Sequence, residues 1–463
     1  MHCAVNDKSY MLPASKQQIR VGWRGLDSKA LTKIQSAVLI AIVVFAAVGG
    51  VVGYSLWRGS LPPPEDIRIG VCADLDMPYG KDIWQAVVLA AEQVNAEGGV
   101  LGRNFTVVAE DDDDETAPYD VAVASNAITK LIAVDKADYV VSGASSSLIF
   151  FAQQDICSNQ KTLMFGVRGV RDEFTQRVLD DYERYKYFFK FYMHNGTIAT
   201  AAFLEDILTV GNYTGFTKVA LLGADSSSVR PAFEGLLSSL PAHGFEVVYS
   251  SLVENTVTDF SSYFAAIEAS GAEILFPVLV GGVSFVKEWY DRQSPCVVWG
   301  GLSAAQDSNF WELTEGKCET VSFSGSPVLA GYPLTNKTVP TREAYLERWG
   351  TPPKGTAVGA YDGVRFILPD AIRRAGTTET EALVKALEKT NVETSLARHF
   401  VFTGSHDIMV GTGGINDPKE DYVIVMYFQF QTNGTLVPVK PDAIMKEAGA
   451  TYRYPNWQGP WSK

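Results

Sequence analysis

The run Gly143-Ala144-Ser145-Ser146-Ser147 sets three hydroxyls side by side, between an apolar stretch at 137–143 and a helix-like one at 147–158. A helix N-terminus carries free amides and the positive end of the helix dipole. Serine hydroxyls next to those amides suit a carboxylate. The same serines also serve as N-caps, and capping and anion binding coexist. Two cations, Arg168 and Arg171, follow the next apolar run, 163–167. They either meet an acidic ligand or are plain surface charge. Catalytic patterns are missing: there is no Walker A, HExxH or GxSxG. His2, His194, His243, His399 and His406 are far apart and lack metal-ligand spacing. The acidic run at 110–115 has neither the glycine nor the ligand spacing of a calcium loop, so it reads as a solvated loop. No metal, no cofactor and no enzymatic activity are expected.

Those residues need a scaffold, and the chain supplies one. At 67–71 a β-branched run predicts a strand. A polar turn with proline and glycine follows at 75–80. Ile83, Val87, Ala91 and Val94 then recur at helical period, and Gly98-Gly99 stops the helix. A second strand begins at Phe105. The turn after the first strand of such a unit is where open α/β sheets place ligands. Strand-like and helix-like runs go on alternating: strands at 137–143, 163–167, 218–223, 246–249, 273–280 and 296–299, with helices between them. Two series of this kind predict two doubly wound parallel sheets. Beyond 341 the pattern turns helical. Thr378 and Glu381 have capping-box spacing, and Asn433-Gly434 marks a tight hairpin.

Length and charge bound the reading. The chain has 463 residues, 46% apolar and 20% charged, enough for two or three domains with a sizeable core. A net charge of −14 repels phosphate, so nucleic acid is not an expected partner. Residues 1–36 carry six Lys/Arg, and 37–56 carry no charge. A transmembrane signal anchor over 37–57 is expected, with a cytoplasmic N-terminus; a cleaved signal peptide is the alternative. A proline-rich spacer covers 58–65. Five sequons, at Asn104, Asn195, Asn212, Asn336 and Asn433, all follow that segment and are glycosylation candidates on an extracytoplasmic domain. Cys296 and Cys318 either close a disulfide there or are buried free thiols.

The segment Val94-Asn95-Ala96-Glu97-Gly98-Gly99-Val100-Leu101-Gly102-Arg103, taken with the strand and turn before it, resembles the opening of type I periplasmic-type substrate-binding proteins of the leucine/isoleucine/valine-binding group. The resemblance runs from about Ile67 to the tail 450–457, which is similar to archaeal and bacterial members. It implies two lobes joined by a multi-strand hinge. Lobe 1 would be 66–190 with 331–396, lobe 2 would be 191–330 with 397–445, and 446–463 a tail. It also implies a small-molecule ligand and the permease subunits of an ABC importer as partners. A receptor ectodomain acting through a partner membrane protein is the competing reading. By resemblance Ser145, with Ser146 and Ser147, holds a ligand α-carboxylate, and Tyr79 covers the ligand. Gly169 falls where the family offers a carbonyl to the ligand amine. Val170 falls at the family's threonine and Leu302 near its amine-pairing acid, and neither side chain can do that work. Asp362 matches a recurring Tyr-Asp pair and would replace the acid; Tyr361 and Trp299 are further wall candidates.

Overall fold

The computed structural model describes residues 38–48, 50, 65–113, 119–144, 146–192, 195–226, 229–254, 256–412 and 421–462. The chain divides into two units, Met1–Pro63 and Pro64–Lys463. In the first unit, residues 38–48 and 50 are helical and exposed. The remainder of the expected anchor, the basic stretch and most of the spacer lie outside the described residues. Among the described residues no helix is long and apolar enough to cross a membrane.

The second unit is built on two sheets. β1 (Ile67–Ala73), β2 (Phe105–Asp111), β3 (Tyr139–Ser142), β4 (Leu163–Gly166) and β5 (Phe188–Lys190) form a wholly parallel sheet in the order β2-β1-β3-β4-β5. Parallel strands joined by helices are covered on both faces, which is why these runs are almost continuously apolar. Ile69 and Val71 face one core with Ile83, Val87 and Val94 of the helix Pro78–Ala96. Val140, Met164 and Phe188 face another with Ile128 and Phe150.

The other sheet begins with β6 (Lys218–Ala224), β7 (Glu246–Val253), β8 (Ile274–Leu279), β9 (Val297–Leu302) and β10 (Ser322–Gly325). Two short pairs follow: β11 (Asn391–Val392) with β12 (Phe400–Val401), and β13 (Val410–Gly411) with β14 (Val423–Ile424). β15 (Met426–Phe430) and β16 (Leu436–Lys440) then return to the larger sheet. Its order is β16-β15-β10-β9-β8-β6-β7. β15 runs antiparallel to β10, and the expected Asn433-Gly434 hairpin joins it to β16.

The connection between the sheets rests on a row of glycines. The chain leaves β5 through Phe191-Tyr192, which lie against the helix Gly355–Asp362 and the turn after it. A methyl group on Gly359 would sit 2.1 Å from Tyr192 Cβ, and one on Gly363 would sit 1.9 Å from Phe191 Cδ2. Spaced four apart, these residues share one helix face, so hydrogen-sized side chains open the groove that takes the crossover.

One open alternative is decided and two expectations are corrected. Cys296 and Cys318 are free, buried thiols of a single apolar core, not a disulfide. The helix Thr380–Leu387 has no capping box. Instead, Thr378 Oγ1 accepts from Arg103 Nη1 at 2.8 Å, and Glu381 accepts from Tyr187 at 2.6 Å. Long-range polar partners have taken both side chains. Finally, Ala397, Phe400, Phe402, Ile408 and Val410, expected with the second lobe, join the core of the first sheet. There the Phe402 ring meets Phe189 edge-on and stacks on Phe191, and the Phe400 ring meets Phe191 edge-on.

Candidate binding site

The C-terminal ends of β1, β3 and β4, neighbours in the first sheet, converge on one wall. After β1 the chain turns through Asp74 into the helix Pro78–Ala96, which starts with Pro78, a residue suited to the first helical turn. Tyr79 donates its hydroxyl to Asp74 Oδ2 at 3.0 Å, and Met77 N donates to Asp74 Oδ1 at 3.1 Å. After β3, Ser146 caps the helix Ser147–Gln160 and accepts from Ile149 N at 3.3 Å. Ser147 is the first residue of that helix, and both serines are half-buried. Ser145 lies outside the described residues.

After β4, Arg168 lays its guanidinium on the Tyr79 ring, Cζ 3.7 Å from the centroid. Arg168 Nη1 is buried without a hydrogen-bond partner. Burial pushes the Tyr79 hydroxyl well above its usual pKa, and Arg168 partly offsets this. Gly169 holds φ +88°, and Phe174 lies 2.8 Å from where its Cβ would be. Val170 is half-buried, and its carbonyl oxygen would lie 3.5 Å from a Cβ on Gly196. The wall therefore combines a serine-capped helix N-terminus, an under-satisfied cation and a tyrosine face, a set suited to an anion.

Three expected wall residues are elsewhere. Trp299 is wholly buried within β9, stacked on Tyr427 at 5.1 Å in a core beneath the sheet. Tyr361 is 3% exposed and gives its hydroxyl to Gln93. Asp362 is wholly buried: Ser395 Oγ donates to Oδ1 at 2.6 Å and Leu396 N to Oδ2 at 3.2 Å. Burial raises its carboxyl to about 6, against those hydrogen bonds. It fastens the segment 394–396 and has no free lone-pair face for a ligand amine. Leu302 ends β9 and packs in the second sheet's core. Among the sequon asparagines, Asn195 is engaged. It caps the helix Gly196–Thr214 and donates to Asp407 Oδ2 at 3.2 Å. Asn104, Asn212, Asn336 and Asn433 are exposed.

Two features escaped the sequence reading. Lys354 and Asp307 form an ion pair at 2.5 Å, joining the start of the helix Gly355–Asp362 to the chain just after β9. That pair bridges the two sheets' territories beside Asp82, one turn beyond Tyr79; burial raises the Asp82 carboxyl, and both partners act on it. Lys190, at the end of β5, is wholly buried, 3.9 Å from Asp407, with Nζ otherwise unpartnered. Opposite charges 217 or 47 positions apart leave no local pattern, so nothing short of the fold could have paired them. Among the described residues no cluster of acids, histidines or cysteines is arranged to hold a metal ion.

The family model described as "Periplasmic binding protein" matches residues 66–412. The Leu/Ile/Val-binding protein homolog 7 of Brucella melitensis is 23% identical over 404 residues, covering 84% of this chain and 95% of that protein. Two solved structures share the fold. The substrate-binding protein LivJ of Streptococcus pneumoniae, in complex with isoleucine, is 18% identical with a TM-score of 0.61, over 81% of this chain and 100% of that one. A solute binding protein from R. palustris, in complex with benzoate, is 17% identical with a TM-score of 0.61, over 81% and 96%. The match over three-quarters of its length shows that this chain belongs to the periplasmic binding protein family.

Proposed function

We propose that the chain is a solute-binding protein that captures a small carboxylate-bearing molecule between two closing lobes and delivers it to an ABC importer. The observation that carries this reading is the convergence of Tyr79, Ser146, Ser147 and Arg168 at the ends of three adjacent parallel strands. Relatives on the same fold are described with isoleucine and with benzoate, two ligands that share a carboxylate and little else. The lobes close about the crossover that leaves β5 through Phe191-Tyr192, and the ligand supplies the differential contacts that favour the closed form. The domain works outside the cytoplasm, tethered by the apolar stretch 37–57, and its importer partners are permease subunits. The role so proposed is capture and delivery, with no chemical step.

A thermal-shift screen of the purified chain against amino acids, aromatic and aliphatic acids, amides and sugars tests the reading. A solute that binds only the folded form at a hundredfold excess over its Kd adds about 2.7 kcal/mol. A clear rise in Tm with at least one carboxylate is expected. Rises with sugars or amides alone would refute a carboxylate site.

A further inference from the structure

We propose that Arg168 sets the ligand class: the solute is an organic carboxylate without an α-ammonium group, and an amine on the ligand weakens binding. This rests on the solute-binding reading and names the ligand of that same site. The Arg168 guanidinium is stacked on Tyr79 with Nη1 buried and unpartnered, and no described carboxylate pairs with it. A buried donor of this kind is costly until an acceptor arrives, and a carboxylate is the acceptor that fits the guanidinium fork. The helix N-terminus at Ser146 and Ser147, one strand along in the sheet, adds positive potential on the same side.

Two acids that could meet an ammonium, Asp74 beside Tyr79 and the expected Asp362, are committed elsewhere. Both oxygens of Asp74 accept hydrogen bonds, from Met77 N and from Tyr79. Both oxygens of Asp362 accept from Ser395 and Leu396 N. Val170 and Leu302 have no side-chain acceptor. A zwitterion entering this wall would set its ammonium near a guanidinium and a helix N-terminus, and neither Asp74 nor Asp362 has an oxygen left over to offset the repulsion. A deaminated acid of the same shape keeps the favourable contact and avoids the unfavourable one.

The test is titration calorimetry of the full chain with matched triplets. One is isocaproate, leucine and isoamylamine; the other is hydrocinnamate, phenylalanine and phenethylamine. At least one acid is expected to bind roughly tenfold or more tighter than its amino-acid counterpart, with the amines silent. Arg168→Met is expected to weaken that acid by about 10- to 100-fold, and Arg168→Lys by less, because charge survives but the fork does not. An unliganded Tm within the usual scatter for a surface variant shows that Arg168→Met still folds. An amino acid binding tighter than its acid, or an acid indifferent to Arg168→Met, overturns the inference and leaves solute binding standing. Silence from both acids overturns it as well; a rise in Tm with another solute in the broader screen would still uphold capture of a solute, whereas none at all would bring down both readings.

Discussion

Closure should be weakened, not abolished, by removing the Lys354–Asp307 pair. The two side chains meet at 2.5 Å, and each is about a third exposed, 34% and 36%. Exposure of that degree lets water and salt screen the attraction, so the pair contributes roughly 0.5–1 kcal/mol to the closed form rather than the several of a buried pair. The partners come from opposite sides of the crossover, so under the proposed two-lobe closure that energy biases the open–closed equilibrium. At 25 °C it corresponds to about a two- to fivefold weaker apparent affinity, expressed chiefly as faster ligand release. The perturbation is Asp307→Asn or Lys354→Met, with the charge-swapped double variant Asp307→Lys/Lys354→Asp as control. Calorimetry and stopped-flow release would be run at about 50 mM and about 500 mM salt, spanning Debye lengths from about 14 Å to about 4 Å. Single variants should lose affinity at low salt, the loss should shrink at high salt, and the swap should recover most of it. Wild-type affinity in both single variants at low salt, or no recovery on swapping, would refute the latch.

Other outcomes follow from burial. Asp112 is wholly buried, accepts from Gln153 Nε2 at 2.8 Å, and has its carboxyl raised by burial to about 7. The folded chain then keeps a proton that the unfolded chain loses from about pH 4 upward, so this group makes stability fall as pH rises towards 7. Asp112→Asn should therefore be more stable than wild type by on the order of 2–4 kcal/mol near pH 8, with no gain below about pH 4, as read by denaturant melts. Asp362→Ala should cost about 1–3 kcal/mol of stability, since it strands the Ser395 hydroxyl and Leu396 amide, while the folded variant keeps its ligand affinity in calorimetry. Gly359→Ala forces a methyl group against Tyr192 and should lower stability by about 1–3 kcal/mol in the same melts.

The sequence was most legible where pattern is local. The βα alternation, the turn after β1, the serine cap after β3 and the hairpin at Asn433-Gly434 all follow from neighbours within a few residues, and all are present. β5 has only three residues and β10 reads Ser-Phe-Ser-Gly, with a single apolar side chain, so neither shows the apolar run that marked the other strands, and the sequence reading passed over both. Burial was the least legible property. Trp299, Tyr361 and Asp362 have the residue types of a ligand wall, yet all three are enclosed, because the packing that encloses them comes from Tyr427, Gln93 and Ser395 far along the chain. Arg168 stood out only as a cation near a strand end. Its stacking on Tyr79, 89 positions earlier, exists only because β1 and β4 lie in one sheet with β3 between them. The same holds where the expected return to lobe 2 begins, at 397: Phe400 and Phe402 are apolar enough for either core, and the rings of Phe189 and Phe191 claim them.

The most direct test of the account is a crystal structure of the chain grown with the tightest-binding carboxylate from the screen. The account predicts a molecule at the C-terminal ends of β1, β3 and β4, its carboxylate on Arg168 and the N-terminus of the helix Ser147–Gln160, beside the Tyr79 ring. A ligand seated elsewhere, or one whose carboxylate faces away from Arg168, would contradict it.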